Sequence, residues 1–357
     1  MTLRQLKIFQ FRNFSELTYR PNPYINFIIG PNGSGKTNLL EAIYHLGTGK
    51  SFRTTLTTRI IQSDKEACQI HGLIEKAKFS FNIAIQRERT RPTQLQLNQL
   101  LLPHAAELIS TFPLRLMNPD SFNLLIGGPK YRRQLLNWGM FHVEHTFLTL
   151  WRTTKRIIKQ RNLALKKNDK AHVNAWNQQL ILCADQLLIS YRHYFQLFEP
   201  VFQEIVKCFL PQIEISLKYY PGWDTGKSLM SLLEENYLKD QRHNRTHAGP
   251  HRADLRIRVK GIPAKDILSR GQQKLLICAL LLSQGILLKK DQNLSCAYLL
   301  DDLASELDEN NFKRICELLE TINAQVFITS VDKTLKKRLF KERPSGLFHV
   351  EQPEAML

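Results

Sequence analysis

The sequence contains no Cys-x-x-Cys pair. Its six cysteines, Cys68, Cys183, Cys208, Cys278, Cys296 and Cys316, are scattered along the chain, an arrangement that suggests neither a zinc site nor a disulfide framework. They are expected to be reduced core residues of a cytoplasmic protein. There is no apolar segment behind Met1-Thr2-Leu3-Arg4-Gln5 and no uncharged apolar run of bilayer-spanning length, so neither a secretory leader nor a membrane partner is expected. No strict heptad repeat is sustained over several heptads, which argues against a long coiled coil. Acidic residues are scarce beside basic ones, 32 against 50, for a formal net charge of +18. The middle of the chain, residues 126–260, carries +11 of that excess. A basic balance of this size points to a polyanionic partner, nucleic acid first, the alternative being a generally basic solvated surface.

The stretch Gly30-Pro31-Asn32-Gly33-Ser34-Gly35-Lys36-Thr37 has the phosphate-loop pattern of Gly, four residues, Gly, Lys and Ser/Thr. Its flanks fit: Tyr24 to Ile29 reads as a buried strand, and Asn38 to Tyr44 has apolar residues at helical spacing. Main-chain donors must wrap closely around a polyphosphate, which side chains at the glycines would obstruct. The helix N-terminus that follows attracts anions. Lys36 is expected to reach the outer phosphates and the Thr37 hydroxyl to ligate Mg²⁺. A nucleoside triphosphate with Mg²⁺ is therefore the expected ligand.

Strand-like alternation precedes the loop, with Arg12-Asn13-Phe14 on a turn, and further strands over Ala67–Leu73, Phe79–Ile85 and Thr93–Leu97 suggest a small antiparallel sheet beside the site. Helical periodicity then predicts two long helices, over Tyr131–Lys167 and Val173–Leu197, forming a compact arm. On the first, Arg152, Lys155, Arg156 and Lys159 share one face. Like charges at that spacing destabilise a helix unless neutralised, which makes them candidate DNA contacts. His247 and His251 lack a third metal-ligating partner at suitable spacing. Farther on, Ala297 to Asp302 reads as a buried strand ending in two carboxylates. Asp301 is expected to hold the metal, and Asp302 to orient or deprotonate the attacking water. If so, the chain ends must fold together as an α/β nucleotide-binding head split in sequence, with the arm inserted. The expected division is a head of residues 1–125 and 250–357 around an arm of residues 126–249.

A split head with a Ser-x-Gly-Gln signature before the metal-binding strand resembles ABC-type ATPases of the SMC superfamily. The segments Ile126–Arg133, Gly249–Asp254, Leu268–Gln272 and Leu299–Asp308 narrow the resemblance to the RecF family of bacterial DNA recombination and repair ATPases. The resemblance implies an ATP-dependent homodimer sandwiching two nucleotides. Gly30 to Thr37 and Asp301 would act in cis, and Ser269, Gly271 and Gln272 would contact the γ-phosphate from the other subunit. Arg12 and Asn13 match the family's loop near the nucleotide, and Asp308 would communicate across the dimer. It further implies binding to duplex, gapped or junction DNA, cooperation with RecR and RecO, and loading of a recombinase onto single strands coated by SSB. Superfamily relatives usually have Glu at the position of Asp302 and a His near Thr329 and Ser330, so slow hydrolysis is expected. Rival readings are a small-molecule kinase, which needs no Ser269-Arg270-Gly271-Gln272, a transporter ATPase subunit, which gives no reason for +18, and a structural chromosome protein, for which the arm is too short.

Overall fold

A computed structural model describes residues 1–76, 78–336 and 344–350. The chain starts with β1 (Thr2–Phe11), β2 (Phe14–Tyr19) and β3 (Ile25–Ile29), then α1 (Lys36–Thr48). Next come β4 (Ala67–Lys76), β5 (Phe79–Glu88), β6 (Gln94–Leu97), β7 (Leu100–Leu101), α2 (Ala106–Thr111) and β8 (Leu114–Met117). The middle of the chain forms α3 (Asn123–Ile126), α4 (Pro129–Val143), α5 (Phe147–Lys166), α6 (Lys170–Phe209), β9 (Ile215–Tyr220), α7 (Leu229–Glu235) and α8 (Tyr237–His243). It continues through β10 (Asp254–Val259), β11 (Ile262–Pro263), α9 (Ala264–Ile267) and α10 (Arg270–Gln292). The last part holds β12 (Ala297–Leu300), α11 (Leu303–Glu306), α12 (Glu309–Thr321), β13 (Val326–Ser330) and β14 (Ser345–His349).

Two compact units result: Met1–Ser121 with Asn293–Leu357, and Phe122–Gln292. In the first, β14-β3-β13-β12-β8 form a parallel sheet and β2-β1-β4-β5-β6-β7 an antiparallel one. Every residue of β3, β12 and β13 is buried, as expected for parallel strands covered on both faces. Helix α1 packs Leu39, Leu40, Ile43 and Leu46 into one core with Ile70, Ile83 and Ile85 of the antiparallel sheet and Ile28, Leu299 and Phe327 of the parallel sheet. Gln325, 1% exposed, ties the sheets together: its amide donates to the Leu3 and Asn22 carbonyls and its oxygen accepts from the Leu3 amide at 2.7 Å.

The second unit differs from the expected arm at both boundaries. Residues 250–292 go with the middle of the chain, because β10 pairs with β9 from Asp254↔Tyr220 to Val259↔Ile215, a ladder that a boundary at 249/250 would cut. Helix α10 belongs here too, its Gln284 amide bonding the Leu135 carbonyl of α4 and the Tyr194 hydroxyl of α6. It is also the one helix among the described residues long and apolar enough to cross a membrane, and 83% of that apolar window is buried inside the protein.

The two predicted long helices become three. Glu144 turns extended between α4 and α5 (φ −103°, ψ 102°), and its carboxylate is held by His193 at 2.6 Å. Helix α6 instead runs through Pro200 to Phe209. The ring is exposed, as is Gln196, whose carbonyl loses its helical partner to the proline, so that carbonyl is open to solvent. Helices α7 and α8 were not anticipated from the sequence.

Candidate nucleotide site

The first unit builds the site where β3 ends. The loop enters α1 through Gly35, whose backbone is left-handed (φ +108°). An added Cβ there would lie 2.4 Å from the Asn13 amide nitrogen, so both conformation and space require glycine. Asn13 explains the closeness: its amide donates to the Ser34 carbonyl at 3.0 Å and its oxygen accepts from Asn38 at 2.7 Å. Asn13 thus braces the phosphate loop. Arg12 is turned elsewhere, its guanidinium paired at both carboxylate oxygens with the fully buried Glu41 (2.9 and 2.7 Å) and donating to the Arg59 carbonyl.

Lys36 is 6% exposed and donates to the carbonyls of Gly30 (3.0 Å) and Pro31 (2.9 Å). An ammonium has three N–H donors, which leaves one for a phosphate oxygen. Ser34 Oγ is buried without a hydrogen-bond partner.

At the C-terminal end of β12, Asp301 comes against the start of α1. The Thr37 hydroxyl donates to Asp301 Oδ1 at 3.0 Å, and the Thr329 hydroxyl, from the neighbouring β13, donates to the same oxygen at 2.9 Å. Burial raises the Asp301 carboxyl above its ordinary range, while the Thr329 and Thr37 hydroxyls and, after them, Arg53 pull it back. A divalent cation bound there would relieve the burial penalty. A threonine hydroxyl and a carboxylate are hard oxygen donors of the kind that bind Mg²⁺ while phosphates and waters fill the remaining positions, so Thr37 and Asp301 fit that ion.

Asp302 differs from its neighbour. It sits in the left-handed region (φ 52°), its amide donates to Thr329 Oγ1 at 2.9 Å, and its carboxylate side is exposed. One buried hydroxyl, Thr329, therefore holds both aspartates in place. Sequence reasoning noted Thr329 only as the replacement for a histidine. It assigned nothing to Arg53, which donates to Asn38 at 2.7 Å and reaches within 3.7 Å of Glu41. A cation placed one loop beyond the phosphate-binding helix was the available signal.

The remaining predicted residues lie in the second unit, except Asp308, which is in the first. Ser269 and Gln272 cap α10 reciprocally: the Ser269 amide donates to Gln272 Oε1 at 2.9 Å and the Gln272 amide to Ser269 Oγ at 3.3 Å, a capping box. Ser269 and Gly271 are exposed, and nothing lies within 4 Å of a Cβ built on Gly271. Arg152, Lys155, Arg156 and Lys159 are all exposed on α5. Lys155 and Lys159 line a groove of about 370 Å³ with Lys166 and Asn244, and Lys155 stands over the Trp151 ring at 5.3 Å. His247 and His251 are engaged with Asp240 and the Thr246 carbonyl. Asp308 caps α12 through the Asn311 amide.

The RecF/RecN/SMC N-terminal domain family model matches residues 2–355. The chain belongs to the RecF family. It is 43% identical over 355 residues to the DNA replication and repair protein RecF of Pseudomonas aeruginosa PAO1, covering 98% of this chain and 96% of that one. It is 41% identical to the corresponding protein of Stutzerimonas stutzeri, with the same coverage. Among solved structures, a recombination mediator protein RecF with ATP in the RecFOR pathway has a TM-score of 0.87 at 23% identity, covering 98% of this chain and 95% of its own. An Smc head bound to the C-terminal winged-helix domain of ScpA has a TM-score of 0.60 at 14% identity, covering 99% and 95%. At these identities the two structures speak for the fold: an SMC-type ATPase head, interrupted in sequence.

Proposed function

We propose that the chain is an ATP-driven, DNA-binding switch of replication and recombinational repair. The observation that carries this reading is the Thr37–Asp301 hydrogen bond, which joins the phosphate loop to the carboxylate strand. Gly30 to Gly35 wrap the polyphosphate, Lys36 balances its outer charge, and Thr37 and Asp301 hold Mg²⁺. The bound ion neutralises phosphate charge and orients the γ-phosphoryl group. The exposed Asp302 carboxylate positions the attacking water. It is one methylene shorter than the usual Glu, and we read the hydrolysis as slow. Ser269 and Gly271, exposed at the N-terminus of α10, and the half-buried Gln272 complete the site of a second copy by turning the Ser269 hydroxyl and the helix end towards its γ-phosphate.

ATP thereby closes a homodimer on duplex, gapped or junction DNA, and hydrolysis releases it. The exposed cations of α5 supply part of the DNA affinity, with Arg152, Lys155, Arg156 and Lys159 as contacts. Cooperation with RecR and RecO in loading a recombinase onto SSB-coated strands is what the family resemblance implies, and solved relatives named as recombination mediators of the RecFOR pathway support that reading. The deciding experiment is sedimentation of the purified chain with ATP and Mg²⁺, with and without a gapped duplex. A dimer is expected only with ATP, and a complex with DNA favoured by ATP. A monomer under every condition would reject the switch. A small-molecule kinase would instead transfer phosphate with no dependence on DNA.

A further inference from the structure

Three arginines of the second unit converge on one loop, and among the described residues no carboxylate makes a direct ion pair with them, although the Asp240 charge acts on Arg252. Arg133 of α4 donates to the Ala253 carbonyl at 3.0 Å. Arg252 and the His251 imidazole both donate to the Thr246 carbonyl, at 3.3 and 2.9 Å. Arg245 precedes Thr246 in the chain, and only its backbone amide is engaged, with the Asp240 carbonyl at 2.9 Å. The nearby acid, Asp240, is committed to the buried Arg161 (2.7 Å) and to His247 (2.7 Å). Among the described residues, none of Arg133, Arg245 and Arg252 forms an ion pair. Arg252 Nε and His251 Nδ1 are moreover buried with no hydrogen-bond partner. Burial and the arginines around it hold the imidazole neutral, its pKa pushed down to about 4. Clustered guanidiniums and orphaned buried polar atoms both cost folding free energy, and an anion bound among them would offset both.

The cluster also has an approach. The groove along α5 lined by Lys155, Lys159 and Lys166 is also lined by Asn244, the residue before Arg245. Its wall is tied to the loop, since the Asn162 side-chain oxygen accepts from both the Thr246 amide (2.9 Å) and hydroxyl (2.7 Å). Left-handed Asn244 (φ 51°) ends α8 and turns the chain into Arg245. A single free phosphate has no use for three further lysines beside an arginine cluster, whereas a phosphodiester backbone does.

We propose that Arg133, Arg245 and Arg252 form a phosphate site beside the α5 groove, where the second unit grips a backbone phosphate of bound nucleic acid. The inference rests on the DNA-binding reading above. Arg245→Gln is the clean variant, because the Arg245 side chain makes no hydrogen bond among the described residues. Binding of a fluorescent gapped duplex to the full chain is measured as salt rises from about 50 to 200 mM, and Arg245→Gln is expected to weaken it on the order of tenfold at the low end. The salt slope should become shallower by about one, with ATP affinity unchanged. In parallel, the His251 ring signals of the isotope-labelled chain are followed during titration with a short duplex and with inorganic phosphate. Displacement by duplex at far lower concentration than by phosphate, weakened in Arg245→Gln, is the expected result. Equal response to both would assign the site to free phosphate and overturn the backbone assignment. Wild-type DNA binding with an unchanged Arg245→Gln slope and unmoved His251 signals would overturn this proposal alone. No DNA binding by the wild type would remove the DNA reading and this site with it.

Discussion

Thr37 Oγ1 donates to Asp301 Oδ1 across 264 positions of sequence. The contact requires β3 and β12 in one parallel sheet with β13 between them, and that sheet also brings in Thr329, whose hydroxyl bonds the same carboxylate oxygen. Geometry distinguishes two adjacent acids. Asp301 is buried under two hydroxyls, suited to an ion at fixed distance, and Asp302 is exposed on a left-handed turn, suited to exchangeable water.

Lys36→Met should weaken binding of a fluorescent ATP analogue roughly ten- to a hundredfold, the range for losing a hydrogen bond to a charged group. Asp302→Asn should leave that affinity near the parent value while slowing phosphate release, so that an ATP-bound dimer persists in sedimentation. Parental turnover in Asp302→Asn would remove Asp302 from the water-handling role.

Ser269→Arg puts a cation and extra bulk at the exposed N-terminus of α10 while leaving the phosphate loop untouched. Nucleotide binding by the monomer is expected to survive and ATP-induced dimerisation to disappear. Loss of ATP binding in the monomer would contradict a contact made from the second subunit.

The nucleotide half of the site was legible in the sequence because its chemistry is local: Gly30 to Thr37 needs particular residues at particular spacings, and an apolar strand ending in Asp301 is recognisable alone. The Thr329 bridge was not, since a threonine inside a buried strand looks like any β-branched core residue until the partner strand is known. The division of the chain was missed for a similar reason. Nothing local in Leu255 to Val259 shows that its ladder partner is β9 rather than a strand of the first unit. Glu144 broke a helix without a proline or glycine to announce it, while Pro200 failed to break one because its face is exposed.

Arg161 is fully buried in the second unit, donating to Asn177 at 2.6 Å, Asp240 at 2.7 Å and Thr246 at 2.9 Å. Arg161→Ala leaves the Asp240 charge buried with only the His247 contacts, and the expected loss is about 3 to 5 kcal/mol of unfolding free energy. Urea denaturation checks this. A loss below about 1 kcal/mol, the level of an exposed pair, would mean that water or His247 compensates Asp240.

His45 supplies a pH prediction for the first unit. It is fully buried on α1, its Nε2 accepts from Arg87 Nε at 2.8 Å, and burial, with Arg87 next in importance, pushes its pKa down to about 3. The folded chain thus keeps the imidazole neutral, whereas the unfolded chain protonates it near the ordinary value of about 6.5. A folded pKa below the unfolded one means that the stabilisation is complete above about pH 6.5 and is lost progressively as pH falls towards 3. Within that window this residue contributes a slope of about 1.4 kcal/mol per pH unit. His251, held near 4, adds a similar slope over a narrower range. In His45→Gln the amide oxygen can still accept from Arg87 but no longer titrates, so the stability of the variant should fall less steeply between pH 6 and pH 4 than that of the parent. Parallel stability curves for the two proteins would show that Arg87 and its surroundings relax to admit the charged ring.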